Sequence, residues 1–281
     1  MKLVKFKITP KSTFASLPSA DMIFGHFAKF LYLEKDNRLD NYLEKPSIIF
    51  SDFLPDGYLY KPTLPLECFK VNEDEKKEFR KKQFISIENL QNGEFSKCEE
   101  INFFEKKQVV KNSISRISFT TEKEIFTPYS LEEIEFKTDI CMYVLFDNFT
   151  LEEIKERLNL IGKSGFGKKS SIGKGQFEVE IDETFKGFKT FDTNYYITLS
   201  SAIFNGVKNA FYDVWTKFGK FHSSNTPFKK PVVFAKPSAI IKTDKKEYIG
   251  KAVDNGYNEI SFVSGYSIII PIKDLPCKIF N

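Results

Sequence analysis

Lys2 to Thr9 alternates Val4, Phe6 and Ile8 with Lys5, Lys7 and Thr9, the two-residue period of a half-buried strand. After a polar turn from Pro10 to Ser19, the residues Ile23, Phe24, Phe27, Phe30 and Leu31 share one face of a helix that starts near Ser19 or Asp21. Ser47 to Pro65 is apolar but broken by prolines and turn residues, which predicts ordered irregular structure. Asn72 to Glu100 is rich in Glu, Lys and Asn with weak periodicity, so an exposed insertion is expected, mobile unless a partner docks on it. Ser115 to Phe126 and Ile140 to Phe146 read as strands. Thr150 and Glu153 then form a capping box ahead of Leu151, Ile154, Leu158 and Ile161 at helical spacing, and Gly162 stands where a C-terminal glycine cap belongs. Gln176 to Ile181 sets Phe177, Val179 and Ile181 against Glu178 and Glu180, a further half-buried strand.

Strand, helix, strands, helix, strand is the ferredoxin-like order, and the expected fold class is α+β. A second unit begins near Asp192 with a strand from Tyr195 to Ser200, followed by a region holding Phe211, Val214, Trp215 and Phe218. Two late strands, Glu259 to Val263 and Tyr266 to Ile272, close the chain. The expected division is residues 1–190, with an insertion near 72–100, and residues 191–281.

Composition changes this picture little. The chain has 281 residues, enough for a sizeable core, and 42 basic against 38 acidic residues. A net charge of +4 does not by itself imply nucleic acid, so local clustering carries that argument. Cys68, Cys98, Cys141 and Cys277 lie far apart, and with only His26 and His222 to join them no zinc spacing is legible. Four buried free thiols in a reducing compartment are expected. The N-terminal segment reads as a strand rather than a signal peptide, and no apolar run reaches spanning length, so the expectation is a cytoplasmic protein with no membrane contact.

Clustering is pronounced from Gly162 to Gly175, GKSGFGKKSSIGKG: five glycines, four lysines, three serines and no acid. Glycine lets a backbone approach a ligand closely, and lysine and serine supply charge and hydrogen bonds to phosphate oxygens. Gly162 to Lys168 fits the start of a P-loop, yet Lys169 stands where a Ser or Thr should hold magnesium, and the loop leaves a helix for a strand rather than the reverse. A polymer phosphate fits better, the plain alternative being a solvated connecting loop. In VKNSISRISFTT, Asn112, Ser113 and Arg116 offer hydrogen bonds and a guanidinium fork to phosphate or a base edge, or a local ion pair. His26 is a general acid/base candidate but lies within an apolar helix face, where packing duty is commoner. Glu73–Asp74–Glu75 and Glu132–Glu133 read as solvated acids, and His222 as exposed. No active-site constellation, metal site or cofactor site emerges.

Several segments fall in the order of a known family: ADMIFGHF (Ala20 to Phe27), SDFLPDGYLYKPTLP (Ser51 to Pro65), the N-S-x-x-R run (Asn112 to Arg116), SSIGKGQF (Ser170 to Phe177), FKKPVVFAKPSAII (Phe228 to Ile241) and FVSGYSIIIPI (Phe262 to Ile272). Over essentially its whole length the chain resembles the fourth Csm subunits of type III-A CRISPR effector complexes, members of the RAMP superfamily. The resemblance implies two ferredoxin-like (RRM-like) domains, a non-catalytic antiviral-defence scaffold, and no cofactor. It implies three partners: the 5′ repeat-derived tag of CRISPR RNA, the large polymerase–nuclease subunit and the first backbone RAMP subunit. Lys163, Gly165, Gly167, Lys168, Lys169, Ser170, Ser171 and Lys174 then match an RNA-contacting loop, and Asn112, Ser113 and Arg116 a family motif. Tyr58, Tyr60 and Phe14 are candidates for stacking on bases. His26 lies near the region where related processing nucleases keep a catalytic histidine, so a metal-independent endoribonuclease is the alternative. The homologous subunit of the related type III-B effector is a third reading.

Overall fold

The computed structural model describes the chain apart from residues 113, 115, 116, 122–127, 220–227, 257–260, 276, 278, 279 and 281. Strand β1 (Lys2–Pro10) turns Val4, Phe6 and Ile8 into the core, as its alternation requires. Helix α1 (Ala20–Leu33) buries Ile23, Phe24, Phe27 and Leu31. Its first amide, on Ala20, donates to the buried Asp52 carboxylate at 2.8 Å, while the Ser19 hydroxyl turns away to Asp21 at 2.7 Å. Short strands β2 (Ile48–Phe50), β3 (Leu54–Pro55) and β4 (Tyr58–Tyr60) follow.

The segment expected as an exposed insertion is instead folded into the protein. It forms α2 (Lys76–Lys81), β5 (Phe84–Ser86), α3 (Ile87–Gln91) and β6 (Cys98–Glu99), with β5 pairing between β4 and β6. Phe79, Phe84, Ile85, Leu90 and Phe95 are buried in the main core. The surrounding Glu, Lys and Asn hide these anchors, because elements of two to six residues are too short to display a period.

A long two-stranded ribbon comes next, β7 (Phe104–Lys111) against β8 (Tyr129–Phe136). The strand read from Ser115 to Phe126 is not seen: residues 117–120 are turn and bend, and the rest of that span is partly outside the described residues. β9 (Ile140–Phe146), α4 (Leu151–Ser164) and β10 (Phe177–Ile181) complete an antiparallel sheet of order β10-β1-β9-β2, with β3 also on β9. Every residue of β9 is buried, as befits a central strand covered on both faces.

Beyond residue 190 the described residues form strands and no helix: β11 (Tyr195–Thr198), β12 (Asn209–Phe211), β13 (Val214–Lys217), β14 (Val232–Ala235), β15 (Ile240–Lys242), β16 (Tyr248–Gly250), β17 (Val253–Asp254), β18 (Phe262–Val263) and β19 (Tyr266–Pro271). Five of them make a second sheet, β12-β15-β11-β19-β16, and β13 pairs with β14 as a hairpin. The molecule is thus mixed α and β with antiparallel sheets. One contiguous core runs through both halves, from Val4 to Ile272. At the junction Tyr42 stacks on Phe24 at 4.3 Å, meets Phe262 and Tyr266, and donates its hydroxyl to the Ile48 carbonyl at 2.8 Å.

The cysteine expectation holds for two residues of four. Cys98 and Cys141 are buried thiols, whereas Cys68 and Cys277 form a disulfide across 209 positions, their Cα atoms 5.2 Å apart. The turn Leu66–Phe69 and the end of the chain meet only in three dimensions, so spacing holds no trace of the pair.

Candidate nucleic-acid interface

The glycine-lysine loop begins where α4 ends. The capping box at its start is formed: the Thr150 amide donates to Glu153 at 2.7 Å, and the Glu153 amide to the Thr150 hydroxyl at 3.2 Å. The helix continues past Gly162 to Ser164, and Gly165, at φ 81°, is its cap. Gly162 serves packing instead, since a Cβ there would run into the Phe177 carbonyl oxygen. Gly175 meets Phe166 as closely, and between these points the loop is pinned rather than free. The Phe166 amide donates to Gly175 O at 2.9 Å, the Gly175 amide to Thr13 O at 2.9 Å, and the Phe166 ring is fully buried against His26 and Phe177.

The four lysines of the loop divide into two kinds. Lys174 faces inward: its ammonium lies 2.6 Å from Glu133 and donates to the Thr13 hydroxyl at 2.7 Å. Glu133 also accepts from Thr13 and faces Lys111 at 3.2 Å. The Lys174 bond, joined by those of Thr13 and Lys111, holds this carboxyl at about 2 despite its burial. Glu133 is therefore a buried structural acid, not a solvated one, and Lys174 is balanced. Lys163 and Lys168 are exposed, Lys169 lies 5.0 Å over the Tyr129 ring, and none of the three forms an ion pair among the described residues. Ser170 and Ser171 sit on the one-turn helix Ser170–Ile172 that shapes the crest of the loop.

Glu133 and Tyr129 belong to β8, so the ribbon is fastened to the loop. Lys111 and Tyr129 are partners in the ribbon register, which brings the exposed Asn112, the residue after β7, to the same end. Ser113 and Arg116 lie outside the described residues. Phe14 does not offer a face for stacking: it is fully buried among Phe53, Phe136 and Phe177. Tyr58 and Tyr60 are half-buried, the first donating to Glu99 at 3.3 Å and the second stacked on Phe84.

His26 is brought against the loop. Its Nε2 accepts from the Gly167 amide at 3.4 Å, its ring packs on Phe166, and burial, with Lys29 nearby, holds the imidazole below its usual value. The neutral ring suits the acceptor role. His222 lies outside the described residues. Sequence reasoning missed Thr13 and read Glu133 as solvated, and it gave Ser16 only turn duty, whereas the Ser16 hydroxyl takes the Lys168 amide at 3.4 Å. The one available signal was that Glu133 shares a strand face with Leu131. Among the described residues no cluster of His, Cys, Asp or Glu suits a metal ion, and no helix is long and apolar enough to cross a membrane.

The fold is that of chains in solved Csm-type assemblies of type III CRISPR systems. A chain of the Csm1–Csm4 cassette in complex with cA4 superposes with a TM-score of 0.64 and 16% identity, covering 96% of this chain and 98% of that one. A chain of the Csm3–Csm4 subcomplex of the type III-A interference complex gives a TM-score of 0.60 and 17% identity, over 96% and 100%. By sequence the chain is similar to the CRISPR system Cms protein Csm4 of Thermococcus onnurineus (strain NA1), 24% identical over 229 residues, 72% of this chain and 75% of that protein. No family model matches. The similarity to Csm4 extends through sequence and fold alike, as the sequence motifs indicated.

Proposed function

We propose that this chain is the Csm4-type scaffold subunit of a type III-A ribonucleoprotein. It holds the 5′ repeat-derived tag of the CRISPR RNA, docks the large polymerase–nuclease subunit and the first backbone subunit, and itself catalyses nothing. The observation that carries this reading is the pinned loop, which presents Lys163, Lys168 and Lys169 beside the fastened end of the β7–β8 ribbon and Asn112. Backbone amides, lysines and hydroxyls on a rigid crest suit a single strand held by its phosphates. The partners follow from the relatives, whose solved assemblies pair Csm4 with Csm1 and with Csm3. The site of action is taken to be the cytoplasm. We read residues 1–190 as a ferredoxin-like RAMP domain, which the order β10-β1-β9-β2 with α1 and α4 supports, and residues 191–281 as a second unit built on its own sheet.

The test is cross-linking of a 5′-tagged CRISPR RNA to this protein mixed with the large subunit, followed by peptide mapping. Cross-links across Lys163 to Ser171 with intact RNA are expected. Cleaved RNA with cross-links gathered at His26, and cleavage lost in His26→Ala, would overturn the scaffold in favour of a processing nuclease. The engagement of His26 with Gly167 and Phe166 supports a positioning role instead.

A further inference from the structure

The chain contains three Asn–Gly pairs, Asn92–Gly93, Asn205–Gly206 and Asn255–Gly256, a dipeptide with a chemistry of its own. With no side chain on the second residue, the glycine amide nitrogen can reach the asparagine side-chain carbonyl carbon and close a five-membered ring. In sequence the three pairs are alike. The fold separates them, because ring closure needs a side chain free to swing and an amide nitrogen free to give up its proton.

Asn255 meets neither condition. It is buried, its Oδ1 accepts from the Ser261 hydroxyl at 3.1 Å, and the Gly256 amide donates to the Asp254 carboxylate at 2.9 Å. Asn92 is exposed, but it caps α3, and the Gly93 amide donates to the Leu90 carbonyl at 3.0 Å. The Asp274 carbonyl oxygen also crosses Gly93, 3.2 Å from where a Cβ would stand. Asn205 differs on every count. It lies exposed with Gly206 in the connection from β11 to β12. Neither its side chain nor the Gly206 amide has a hydrogen-bond partner among the described residues. Gly206 stands at φ 73° with open space where a Cβ would be, so nothing crowds the nitrogen that must attack.

We propose that Asn205 is a site of spontaneous deamidation, and that its modification loosens the connection between β11 and β12. The Gly206 nitrogen loses its proton to hydroxide and attacks Cγ of Asn205. That bond forms as Cγ–Nδ2 breaks, and the side-chain nitrogen leaves as ammonia. Water then opens the cyclic imide at either carbonyl, giving aspartate or isoaspartate, so one water is consumed, one ammonia is released and nothing is oxidised or reduced. Both products place a new carboxylate three residues before the exposed Lys208. Isoaspartate also adds a carbon to the main chain. Phe204 and Val207, on either side of the pair, pack on the cluster of Tyr196, Ile241, Ile249 and Ile269. The lengthened backbone between them cannot keep both anchors seated as before.

The test is incubation of the full, folded chain in neutral and mildly alkaline buffer, followed by peptide mapping by mass spectrometry. Electron-transfer fragmentation separates isoaspartate from aspartate. The peptide holding Asn205 is expected to gain one mass unit at a rate proportional to hydroxide. The peptides holding Asn92 and Asn255 lag by about tenfold, the worth of the hydrogen bond that each glycine amide must give up. In denaturant the three rates converge. Asn205→Gln, whose ring would be one atom larger, stays unmodified at this position while the other two pairs behave as before. After conversion, hydrogen exchange across Phe204 to Phe211 quickens in the wild type and not in Asn205→Gln. Equal rates at the three pairs in the folded protein, or an Asn205 as slow as Asn255, would overturn the site. Unchanged exchange after full conversion would overturn the loosening.

Discussion

Glu133 accepts the Thr13 hydroxyl at 2.7 Å and faces Lys174 at 2.6 Å and Lys111 at 3.2 Å, so one carboxylate ties β1's following turn, the ribbon and the loop together. Because its folded value near 2 lies below the ordinary 4.5, its contribution is complete above about pH 4.5 and is lost as pH falls toward 2. Glu133→Gln is expected to remove that acid-side loss and to free Lys174, measured as melting temperature between pH 2 and 6. Asp52 behaves in the opposite sense. Burial pushes it up to about 7, against the bond from Ala20. Its stabilisation is therefore full below about pH 3.8 and declines as pH rises through 7. Asp52→Asn keeps an acceptor for the Ala20 amide and is expected to flatten stability between pH 4 and 8. An unchanged slope in that variant would show that Asp52 is ionised throughout.

The loop is the element whose chemistry was most legible, because glycines and lysines concentrated without acids are visible in one dimension. Its division of labour was not. Lys174 looks like its neighbours in sequence, yet the ribbon supplies its counter-ion from 41 positions upstream (174 − 133). Likewise the helix ends two residues beyond the glycine that resembled its cap, since Gly162 is demanded by the close approach of β10. For the two lysines without a counter-ion at the crest, Lys168→Ala with Lys169→Ala is expected to weaken tag binding and lower the salt slope by about 1.4, at about 0.7 per contact. Filter binding from 50 to 400 mM salt would show it, and an unaltered slope would take both lysines off the contact surface.

At the scale of the whole molecule, one core shared by both halves and the Cys68–Cys277 bond make the C-terminal end part of the fold. A disulfide is typically worth about 2–4 kcal/mol. At about 2–4 °C per kcal/mol, reduction or Cys277→Ser is expected to lower the melting temperature by on the order of 10 °C. Calorimetry with and without reductant measures this. A shift below about 2 °C would mean that neighbouring packing holds the chain end without the bond.

The sequence by itself determined the periodic elements β1, α1, β9, α4 and β10, the composition of the loop, and the likeness to Csm4. Each is written in residues a few positions apart, where side-chain period and capping chemistry act. The tertiary structure alone decided that Asn72 to Glu100 is packed, that the chain beyond 190 holds no helix in its described residues beside the strands expected at Tyr195 and Tyr266, and which residues meet Lys174, His26 and Cys68. A period of two or 3.6 residues tells which face of an element is turned inward. What that face meets depends on the path of the chain between distant elements, and no local pattern encodes it.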